Sequence, residues 1–229
     1  MTVDTLTSVV LPVRDQAEHV ESLVTEHARA LGRSGLAWEI VLVPNACRDG
    51  SDAICRRLAH EHAGVRTVES ALGGWGRAVR LGLREARGDL LCYTNSARTT
   101  PEELLLLVLY ARAFPDVVVK ANRKVRERWT RRLGSLLYNL ECRALFDLSC
   151  WDVNGTPKVF RRTHDRLLGL TRDDDLIDAE FDWICRREGY RMIEVPIFSS
   201  RRHGGKSTTT LRSAVRMYWG ALELWRRGR

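Results

Sequence analysis

The sequence predicts an α/β protein built on a mostly parallel, doubly wound sheet with helices on both faces. Three observations lead to this prediction. Short apolar runs alternate with segments of helical periodicity through the first half of the chain. The strand candidates are continuous apolar runs, which is typical of parallel strands covered on both faces. Polar loops follow these strands, and open α/β sheets bind ligands at the carboxyl ends of their strands.

The predicted elements alternate regularly from the start of the chain. The first strand, Ser8–Leu11, stops at Pro12, and Ala17–Leu31 after it carries apolar residues at helical spacing. The second strand is the apolar run Glu39–Val43. The other strands are predicted at Val65–Val68, Leu90–Tyr93, Val117–Lys120, in the residues leading to Phe160, and at Arg191–Ile197; the other helices are predicted at Asp52–His62, Ala78–Ala86, Pro101–Ala113 and Arg131–Leu148, from Asp178 onward, and at Leu211–Arg226.

Two helices of the second half concentrate their apolar residues on one side. Core packing is the default interpretation of such a stripe. Arginines beside the stripe of the last helix also suit contact with an anionic membrane surface. The stripes are Leu133, Leu136, Leu137, Leu140, Ala144 and Leu145 in the first of these helices, and Leu211, Val215, Tyr218, Trp219, Leu222 and Trp225 in the last, where Arg212, Arg216, Arg226 and Arg227 flank them.

Composition narrows the class of partner. The chain has 229 residues, 44% of them hydrophobic, which is enough for one large α/β domain with its own core. Its net charge of +8 favours an anionic partner, which can be a phosphate ester, a membrane surface or a nucleic acid. The aromatic residues fall in helical stripes and no nucleic-acid-binding motif is present, so nucleic acid is not predicted. The basic residues are nearly all arginine. Base composition of the gene explains this excess of arginine over lysine as well as a functional role does.

The cysteines and the apolar runs indicate a cytosolic protein. The six cysteines form no Cys-x-x-Cys pair and no cluster with zinc-ligand spacing, so we expect reduced, mostly buried thiols. Met1–Ser8 has no signal-peptide pattern, and no apolar run approaches the length of a membrane span. We therefore expect a cytoplasmic protein, with peripheral contact on a membrane face as the alternative.

The loop after the strand Leu90–Tyr93 is the centre of the predicted site. It contains Asn95, Ser96, Ala97 and Arg98 and leads into a helix. Proline is favoured in the first turn of a helix, and the chain has one at the start of this helix. Because ligands bind at such strand ends, we expect this loop to face the substrate.

These segments, in this order, resemble the family 2 glycosyltransferases of the GT-A fold, closest to their dolichyl-phosphate mannose synthase-like branch. The resemblance covers about residues 8–207. Its parts are Ser8–Gln16 for the first strand at the nucleotide base; Glu39–Ser51 for the second strand and its loop; Gly74–Gly82 for the glycine segment; Gly88–Leu104 for the Asp-x-Asp strand; Ala121–Arg123 and Arg131–Asn139 for the basic acceptor-side segment; Asp152–Phe160 for the Asp-Pro-x-Ser-Gly-Phe block; and Arg201–Ser207 for a mobile basic loop near the diphosphate.

The resemblance implies transfer of a sugar from a nucleotide diphosphate donor, usually with inversion. It also implies one domain over residues 1–229, with a nucleotide-binding half to about 120, an acceptor half over about 121–210, and a C-terminal amphipathic helix. Polyprenyl phosphate is the implied acceptor, and a small molecule is the alternative. A metal held by two carboxylates normally stabilises the leaving diphosphate in such enzymes.

The Asp-x-Asp positions are occupied here by Asn95, Ser96 and Ala97, none of which is a carboxylate. Hard divalent cations prefer carboxylate ligands, so we assign no metal ligand and do not expect the usual Mg²⁺ or Mn²⁺ dependence. Arg98 follows directly, and a guanidinium matches the fork geometry of a diphosphate. We expect Arg98 to replace the ion; an exposed loop arginine is the alternative.

The resemblance, together with the chemistry of the residues in the loops and first helical turns, supplies the candidate site residues. Asp152 and Arg98 are the catalytic candidates. The donor-binding candidates are Pro12, Arg14, Asp15, Asn45, Asp49, Gly74, Gly76, Arg77, Asn95, Ser96 and Ala97. The acceptor- or phosphate-binding candidates are Arg123, Arg131, Ser135, Asp178, Glu180, Asp182, Arg202, His203 and Lys206. Helix capping, loop structure or a solvated basic face is the competing interpretation for several of these residues.

Two other functions remain open at this stage. A catalytically inactive nucleotide-sugar-binding or scaffold protein of the same fold would also lack the aspartates, and turnover of a sugar nucleotide separates it from an enzyme. A nucleotidyltransferase on a similar sheet is disfavoured, because the first strand leads into Val13–Gln16 rather than into a glycine-rich phosphate loop.

Overall fold

A computed structural model describes residues 5–124, 129–198 and 211–227, with side chains described for 5–124, 134–198 and 216–226. Its elements confirm the predicted alternation. The strands are β1 (Thr7–Val13), β2 (Trp38–Pro44), β3 (Val65–Thr67), β4 (Leu90–Tyr93), β5 (Val117–Arg123), β6 (Lys158–Arg161) and β7 (Arg191–Ile197); the helices are α1 (Val20–Arg33), α2 (Ser51–Glu61), α3 (Trp75–Glu85), α4 (Pro101–Ala113), α5 (Trp129–Phe146), α6 (Ile177–Arg187) and α7 (Leu211–Arg227).

The described strands form one sheet in the order β3-β2-β1-β4-β6-β5-β7. The pairs of β1 with β2 and β4, of β2 with β3, and of β5 with β7 are parallel. Strand β6 lies antiparallel between β4 and β5. The other six strands therefore point the same way, and the loops that follow them open on one edge of the sheet. The prediction of a mostly parallel sheet is confirmed.

Helices cover both faces of the sheet, as predicted. Helices α1, α2 and α4 pack on one face against residues such as Val9, Leu11 and Ile40. Helices α3 and α6 pack on the other face, against Val10 and Tyr93 among others. The approach of α3 is close because Gly82 has no side chain: a Cβ there would lie 2.2 Å from Val10 Cγ1.

Helix α4 begins where the sequence predicted, at Pro101. Thr100 is its N-cap, and the Thr100 side chain accepts a hydrogen bond from the Glu103 N–H while the Glu103 carboxylate accepts one from the Thr100 N–H. This capping box satisfies two donors at the helix start. It fixes the direction in which the loop from Asn95 leaves β4.

The end of β1 and the buried faces of two helices differ from the sequence prediction. Strand β1 does not stop at Pro12 but continues to Val13, because β4 pairs only with residues up to Val10 and needs no N–H from Pro12. Helix α5 buries Tyr138, Cys142 and Phe146. Its predicted apolar stripe is instead partly open, with Leu136, Leu137 and Leu140 about half exposed. Among residues 216–226 of α7, the buried ones are Gly220, Ala221 and Leu224, and Trp219 of the predicted stripe is 69% exposed.

Candidate active site

Loops from four co-directional strands meet at one edge of the sheet. Arg14 and Asp15 follow β1, Asn45 follows β2, Asn95 follows β4, and Arg123 ends β5. These residues belong to four of the predicted site segments. The parallel arrangement thus brings together candidates that are far apart in sequence.

The loops after β1 and β2 are joined by their own polar groups. Asn45 is buried; its Nδ2 lies 2.9 Å from the Val13 carbonyl, and its Oδ1 accepts a hydrogen bond from the Gly74 N–H. Asp15 accepts a hydrogen bond from the Arg48 N–H, and Asp49 accepts one from the Ala17 N–H. The predicted donor-site residues Asn45, Asp15 and Asp49 therefore hold the loops after β1 and β2 together. The buried side-chain amide of Asn45 is hydrogen-bonded to backbone groups.

The carboxylate of Asp49 is held in its charged form. Burial opposes ionisation, but hydrogen bonds from Ser51 and from the Ala17 N–H outweigh it and keep the Asp49 pKa below its ordinary value. Ser51 also accepts a hydrogen bond from the Gln16 N–H. Asp49 and Ser51 together tie the start of α2 to the exit of β1.

The glycine segment packs against the chain's own backbone. A Cβ on Gly76 would lie 2.3 Å from the Arg172 carbonyl oxygen, and one on Gly74 would lie 2.5 Å from that of Asp173. The Arg77 N–H donates to the Asp173 carbonyl, and the Arg77 side chain pairs with the Asp173 carboxylate. Gly74 and Gly76, which are donor-binding candidates, thus lie against the backbone of residues 172–174.

The loop after β4 holds no carboxylate for a divalent metal. Asn95 Oδ1 accepts a hydrogen bond from the Ala97 N–H. Ser96 is buried, with its Oγ 2.8 Å from the Pro12 carbonyl and 2.7 Å from Gln16 Oε1. Ala97 has no donor atom. Within the described part of the chain, no group of three His, Cys, Asp or Glu residues is placed to hold a metal ion. These residues do not fit the metal that the family's motif binds.

Arg98 is the cation of the loop between β4 and α4. Its N–H donates to the Asn95 carbonyl, which closes the turn, and its side chain is half-buried. Pro12 is buried, and its carbonyl accepts a hydrogen bond from the Ser96 hydroxyl. Hydrogen bonds of Ser96 thus join the loop after β4 to the end of β1.

Arg123 and Asp152, two of the predicted residues, form a bidentate ion pair. Asp152 Oδ2 accepts from Arg123 Nε at 2.7 Å, and Asp152 Oδ1 accepts from Arg123 Nη2 at 2.8 Å. The Arg123 N–H also donates to Asp152 Oδ2. The Asp152 side chain is 4% exposed and that of Arg123 is 23% exposed. Burial opposes the charge on Arg123, but Asp152 outweighs it and raises the Arg123 pKa. The pair fixes the plane of a guanidinium that still reaches solvent.

Beneath this pair a row of polar residues crosses four strands. The strand register aligns Tyr93 of β4 with Lys158 of β6, Lys158 with Lys120 of β5, and Lys120 with Glu194 of β7. Aligned residues of paired strands point to the same face. Both lysines are fully buried, and both ammonium groups donate to the Val153 carbonyl. The row supports the loop that carries Asp152.

Helix α6 supplies the anions that balance these lysines. Asp182 Oδ2 lies 2.5 Å from Lys120 Nζ, and Asp182 Oδ1 lies 3.2 Å from Lys158 Nζ. Asp178 Oδ1 lies 3.0 Å from Lys158 Nζ and accepts a hydrogen bond from the Tyr93 hydroxyl. Burial alone would lower the Lys120 pKa, but Asp182 outweighs it and raises that pKa. We call Lys120, Lys158, Asp178 and Asp182 the ion cluster.

The predicted acceptor residues of α6 are therefore engaged within the protein. Asp178 and Asp182 are buried, and Asp178 also accepts from the Trp75 indole N–H. Glu180 accepts hydrogen bonds from the N–H groups of Thr171 and Arg172. Glu180 thereby holds the segment that packs on the glycines of α3.

Several predicted site residues lie close to or outside the described residues. Ser135 lies on α5 and is half-buried. Arg131 lies on the same helix, but its side chain is outside the described residues. Arg202, His203 and Lys206, with the predicted mobile loop, lie outside the described residues altogether. Their roles stay predictions.

Sequence reasoning missed Lys120, Lys158 and Glu194. A signal was available: two of the four lysines sit in otherwise apolar strands, where an ammonium group needs a buried anion. The spacing of Asp178 and Asp182, four residues apart on one face of a helix, supplies such anions. Only the strand register could join the two observations.

Comparison with known proteins places this arrangement in a family. An undecaprenyl-phosphate 4-deoxy-4-formamido-L-arabinose transferase from Sodalis glossinidius (strain morsitans) is 27% identical over 222 residues, covering 93% of this chain and 65% of its own length. The protein of the same description from Pseudomonas paraeruginosa (strain DSM 24068 / PA7) is 30% identical over 162 residues, covering 69% of this chain and 48% of its own length. The chain thus spans about half to two thirds of the length of these curated relatives.

Solved structures agree on the fold. Glucosyl-3-phosphoglycerate synthase from Mycobacterium tuberculosis, in complex with Mn²⁺, uridine diphosphate and phosphoglyceric acid, matches with a TM-score of 0.75 at 19% identity, covering 96% of this chain and 78% of that one. Its complex with uridine diphosphate alone matches with a TM-score of 0.71 at 17% identity, covering 96% of this chain and 79% of that one. The fold is the GT-A fold. The family model described as glycosyl transferase family 2 matches residues 8–169, so the chain belongs to glycosyl transferase family 2.

Proposed function

We propose that the protein transfers a sugar from a nucleotide diphosphate donor to the phosphate group of a polyprenyl-phosphate acceptor. The observation that carries this proposal is the bidentate pair of Arg123 and Asp152 at the carboxyl end of β5. A guanidinium that is held in one plane and still reaches solvent is suited to bind a phosphate. The curated relatives, described as undecaprenyl-phosphate sugar transferases, support the same acceptor class.

The chemistry of the acceptor explains why Asp152 is committed to Arg123. A hydroxyl acceptor needs a general base to remove its proton, whereas a phosphate oxygen is already ionised at neutral pH. Both oxygens of Asp152 accept hydrogen bonds from Arg123. Asp152 therefore orients the arginine, and the phosphate oxygen attacks the sugar without a protein base. This arrangement favours a phosphate over a small-molecule hydroxyl acceptor.

The donor lies across the ends of β1, β2 and β4 in this proposal. The leaving nucleoside diphosphate develops negative charge, which must be stabilised. Since Asn95, Ser96 and Ala97 do not fit a metal, Arg98 is the group on this loop that supplies positive charge. Arg202 and Lys206, which lie outside the described residues, are the further cations that the sequence offers.

A lipid acceptor requires a surface that meets the membrane. None of the described helices is both long and apolar enough to cross a bilayer. We propose peripheral docking through α5 and α7, where Leu136, Leu137 and Leu140 are about half exposed and Trp219 is largely exposed. Apolar side chains of this kind insert at the interface beside basic residues.

The distribution of charge supports this docking surface. Residues 124–143 hold six cations and two carboxylates, and residues 199–229 hold eight cations and one carboxylate. The remaining residues hold 23 cations and 26 carboxylates, a net charge of −3. The positive excess of the chain therefore belongs to these two stretches, which contain α5 and α7 and the residues that precede each helix. An anionic bilayer attracts such a surface.

Turnover tests the reaction. Wild-type protein is incubated with uridine and guanosine diphosphate sugars and farnesyl phosphate, and release of the nucleoside diphosphate is measured. Arg123→Ala should raise the KM for farnesyl phosphate about tenfold or more, because a charge-assisted hydrogen bond is worth about 1.5–3 kcal/mol. The donor KM should not change. Arg56→Ala, on an exposed ion pair, is the control.

Two outcomes would contradict the proposal. Uridine diphosphate binding without turnover of any sugar nucleotide would support an inactive binding protein. Transfer to hydroxyl acceptors alone would make the acceptor class wrong.

Membrane docking has its own test. Co-sedimentation with phosphatidylglycerol vesicles should fall with salt and with Leu137→Ser. Leu109→Ser on α4 is a matched control, because Leu109 and Leu137 are both 51% exposed.

A further inference from the structure

The turn over residues 149–152 is held from two sides by opposite charges. It connects α5 to the loop that precedes β6, and its last residue is Asp152. Glu194 of β7 reaches it from one side: Glu194 Oε1 accepts from the Asp152 N–H at 2.9 Å, and Glu194 Oε2 accepts from the Trp151 N–H at 2.9 Å. One carboxylate thus takes two consecutive backbone amides.

Arg143 of α5 holds the same turn by its carbonyl groups. Arg143 Nη1 lies 3.2 Å from the Ser149 oxygen and 3.0 Å from the Cys150 oxygen. The Arg143 guanidinium carbon also lies 3.9 Å from the centre of the Trp151 ring. An anion on the N–H groups and a cation on the C=O groups satisfy four backbone atoms of one turn. Such paired contacts leave the turn little freedom.

Glu194 is itself fixed in place by the sheet. Strand register aligns it with Lys120 of β5, and the Asn122 side-chain amide donates to Glu194 Oε2 at 3.1 Å. Asn122 directly precedes Arg123 on the same strand. Glu194 therefore links the strand that carries Arg123 to the turn that carries Asp152.

We propose that Glu194, with Arg143, is a positioning residue for acceptor-phosphate binding, acting through the backbone of Trp151 and Asp152 to set the plane of the Arg123 guanidinium. This inference rests on the proposed function, since it takes Arg123 as the phosphate-binding group. The carboxylate of Glu194 accepts hydrogen bonds from the backbone amides of Trp151 and Asp152 and from the side chain of Asn122. Glu194 therefore affects phosphate binding through the geometry of the turn.

Replacing Glu194 by Gln tests the positioning. Glutamine keeps the size of the side chain, but its NH₂ group would face one of the two backbone N–H donors, and two donors cannot bond to each other. We expect the Kd for farnesyl phosphate to rise about tenfold to a hundredfold, the range measured where an outer partner orients a binding group in metal sites. The Kd for uridine diphosphate, which binds at the other strands, should stay within twofold.

Titration calorimetry measures both affinities, and the ³¹P resonance of farnesyl phosphate at saturation reports the environment of its phosphate. A purely stabilising Glu194 would lower Tm without moving that resonance, whereas a positioning residue moves it. Glu188→Gln at the end of α6, in exposed contact with Arg187, is the matched control. Glu194→Asp keeps two acceptor oxygens and should recover part of the affinity.

The variants separate the two levels of the proposal. If Arg123→Ala binds farnesyl phosphate as tightly as wild type, the proposed acceptor site is wrong. If Arg123→Ala weakens binding and Glu194→Gln does not, the positioning role of Glu194 is overturned. Should Glu194→Gln fail to fold, Arg143→Gln removes the contacts to the carbonyl groups of the same turn, and the same loss of affinity is expected. Unchanged affinity and an unchanged ³¹P resonance in Arg143→Gln would then overturn the inference.

Discussion

The ion cluster allows a direct test of what holds the acceptor side together. Replacing Lys120 by Met removes one of the two ammonium groups and keeps a side chain of similar length. Lys120 is fully buried, and its Nζ lies 2.5 Å from Asp182 Oδ2. Without it, Asp178 and Asp182 share the single cation of Lys158 within the cluster. One negative charge is then left uncompensated in the core.

The structure sets the size of the effect. Removing one partner of a buried ion pair costs about 3–5 kcal/mol. We expect the lower end, because Lys158 and the Cys150 thiol still contact Asp182. For a chain of this length each kcal/mol lowers Tm by about 2–4 °C, so a loss of about 3 kcal/mol lowers it by about 6–12 °C.

A double-mutant cycle isolates the charge effect. Asp182→Asn leaves an excess positive charge, whereas Lys120→Met with Asp182→Asn leaves the neutral pair of Lys158 and Asp178. The free energy of unfolding lost in the double variant should be clearly smaller than the sum of the two single losses. Urea unfolding followed by circular dichroism gives these values.

The control is an exposed ion pair. Arg56 contacts Asp52 and Glu69 at the surface, so Arg56→Met should cost less than about 1 kcal/mol. If Lys120→Met costs no more than this control, or if the two single losses add without coupling, the cluster does not depend on balanced buried charge. The idea that the buried lysines stabilise the loop of Val153 and Asp152 through balanced charge would then be refuted.

Three further predictions follow from the same structure. Burial opposes ionisation of Glu39, but hydrogen bonds from Ser8 and others outweigh it and hold its pKa below the ordinary value, so its contribution to stability is present above pH about 4.3 and is lost as pH falls through the lower folded-state pKa. The stability difference between wild type and Glu39→Gln should therefore shrink between about pH 6 and about pH 3, and a constant difference would contradict this. Turnover should survive EDTA, and Arg98→Ala should lower kcat about a hundredfold to a thousandfold; abolition by EDTA with rescue by Mn²⁺ would show a metal site, and a fully active Arg98→Ala would make the arginine hypothesis wrong. Gly76→Ala should lower stability by about 1–3 kcal/mol, because its Cβ would meet the Arg172 carbonyl; an unchanged Tm would count against that packing.

Much of the fold could be read from local sequence patterns. Pro101 and the acidic residues after it marked the start of α4, and the apolar run Leu90–Tyr93 marked β4, since both signals lie within a few neighbouring residues. The apolar face of α5 was misjudged for the opposite reason. Helical spacing shows that Leu136, Leu137 and Leu140 share a side, but it does not show which side meets α6 and α7.

The candidate site was predictable only in part. The resemblance assigned Arg123 and Asp152 to the acceptor side, and the structure brings them together as a bidentate pair. The resemblance did not distinguish residues that face solvent from residues that support them. Asp182 was predicted as an acceptor contact, and the structure places it in the ion cluster. The sequence could not show this, because its partners Lys120 and Lys158 sit on strands whose pairing the sequence does not reveal.

The sequence by itself determined the order of strands and helices and the set of polar loops that would share one edge of the sheet. These follow from periodicity and from the common direction of parallel strands, which act over short distances along the chain. The tertiary structure alone decided that β6 enters antiparallel between β4 and β5 and aligns Tyr93, Lys158, Lys120 and Glu194 in one row. Lys120 and Asp182 are 62 residues apart, and Asp152 and Glu194 are 42 apart. Contacts over such separations depend on register and packing, which no local pattern specifies.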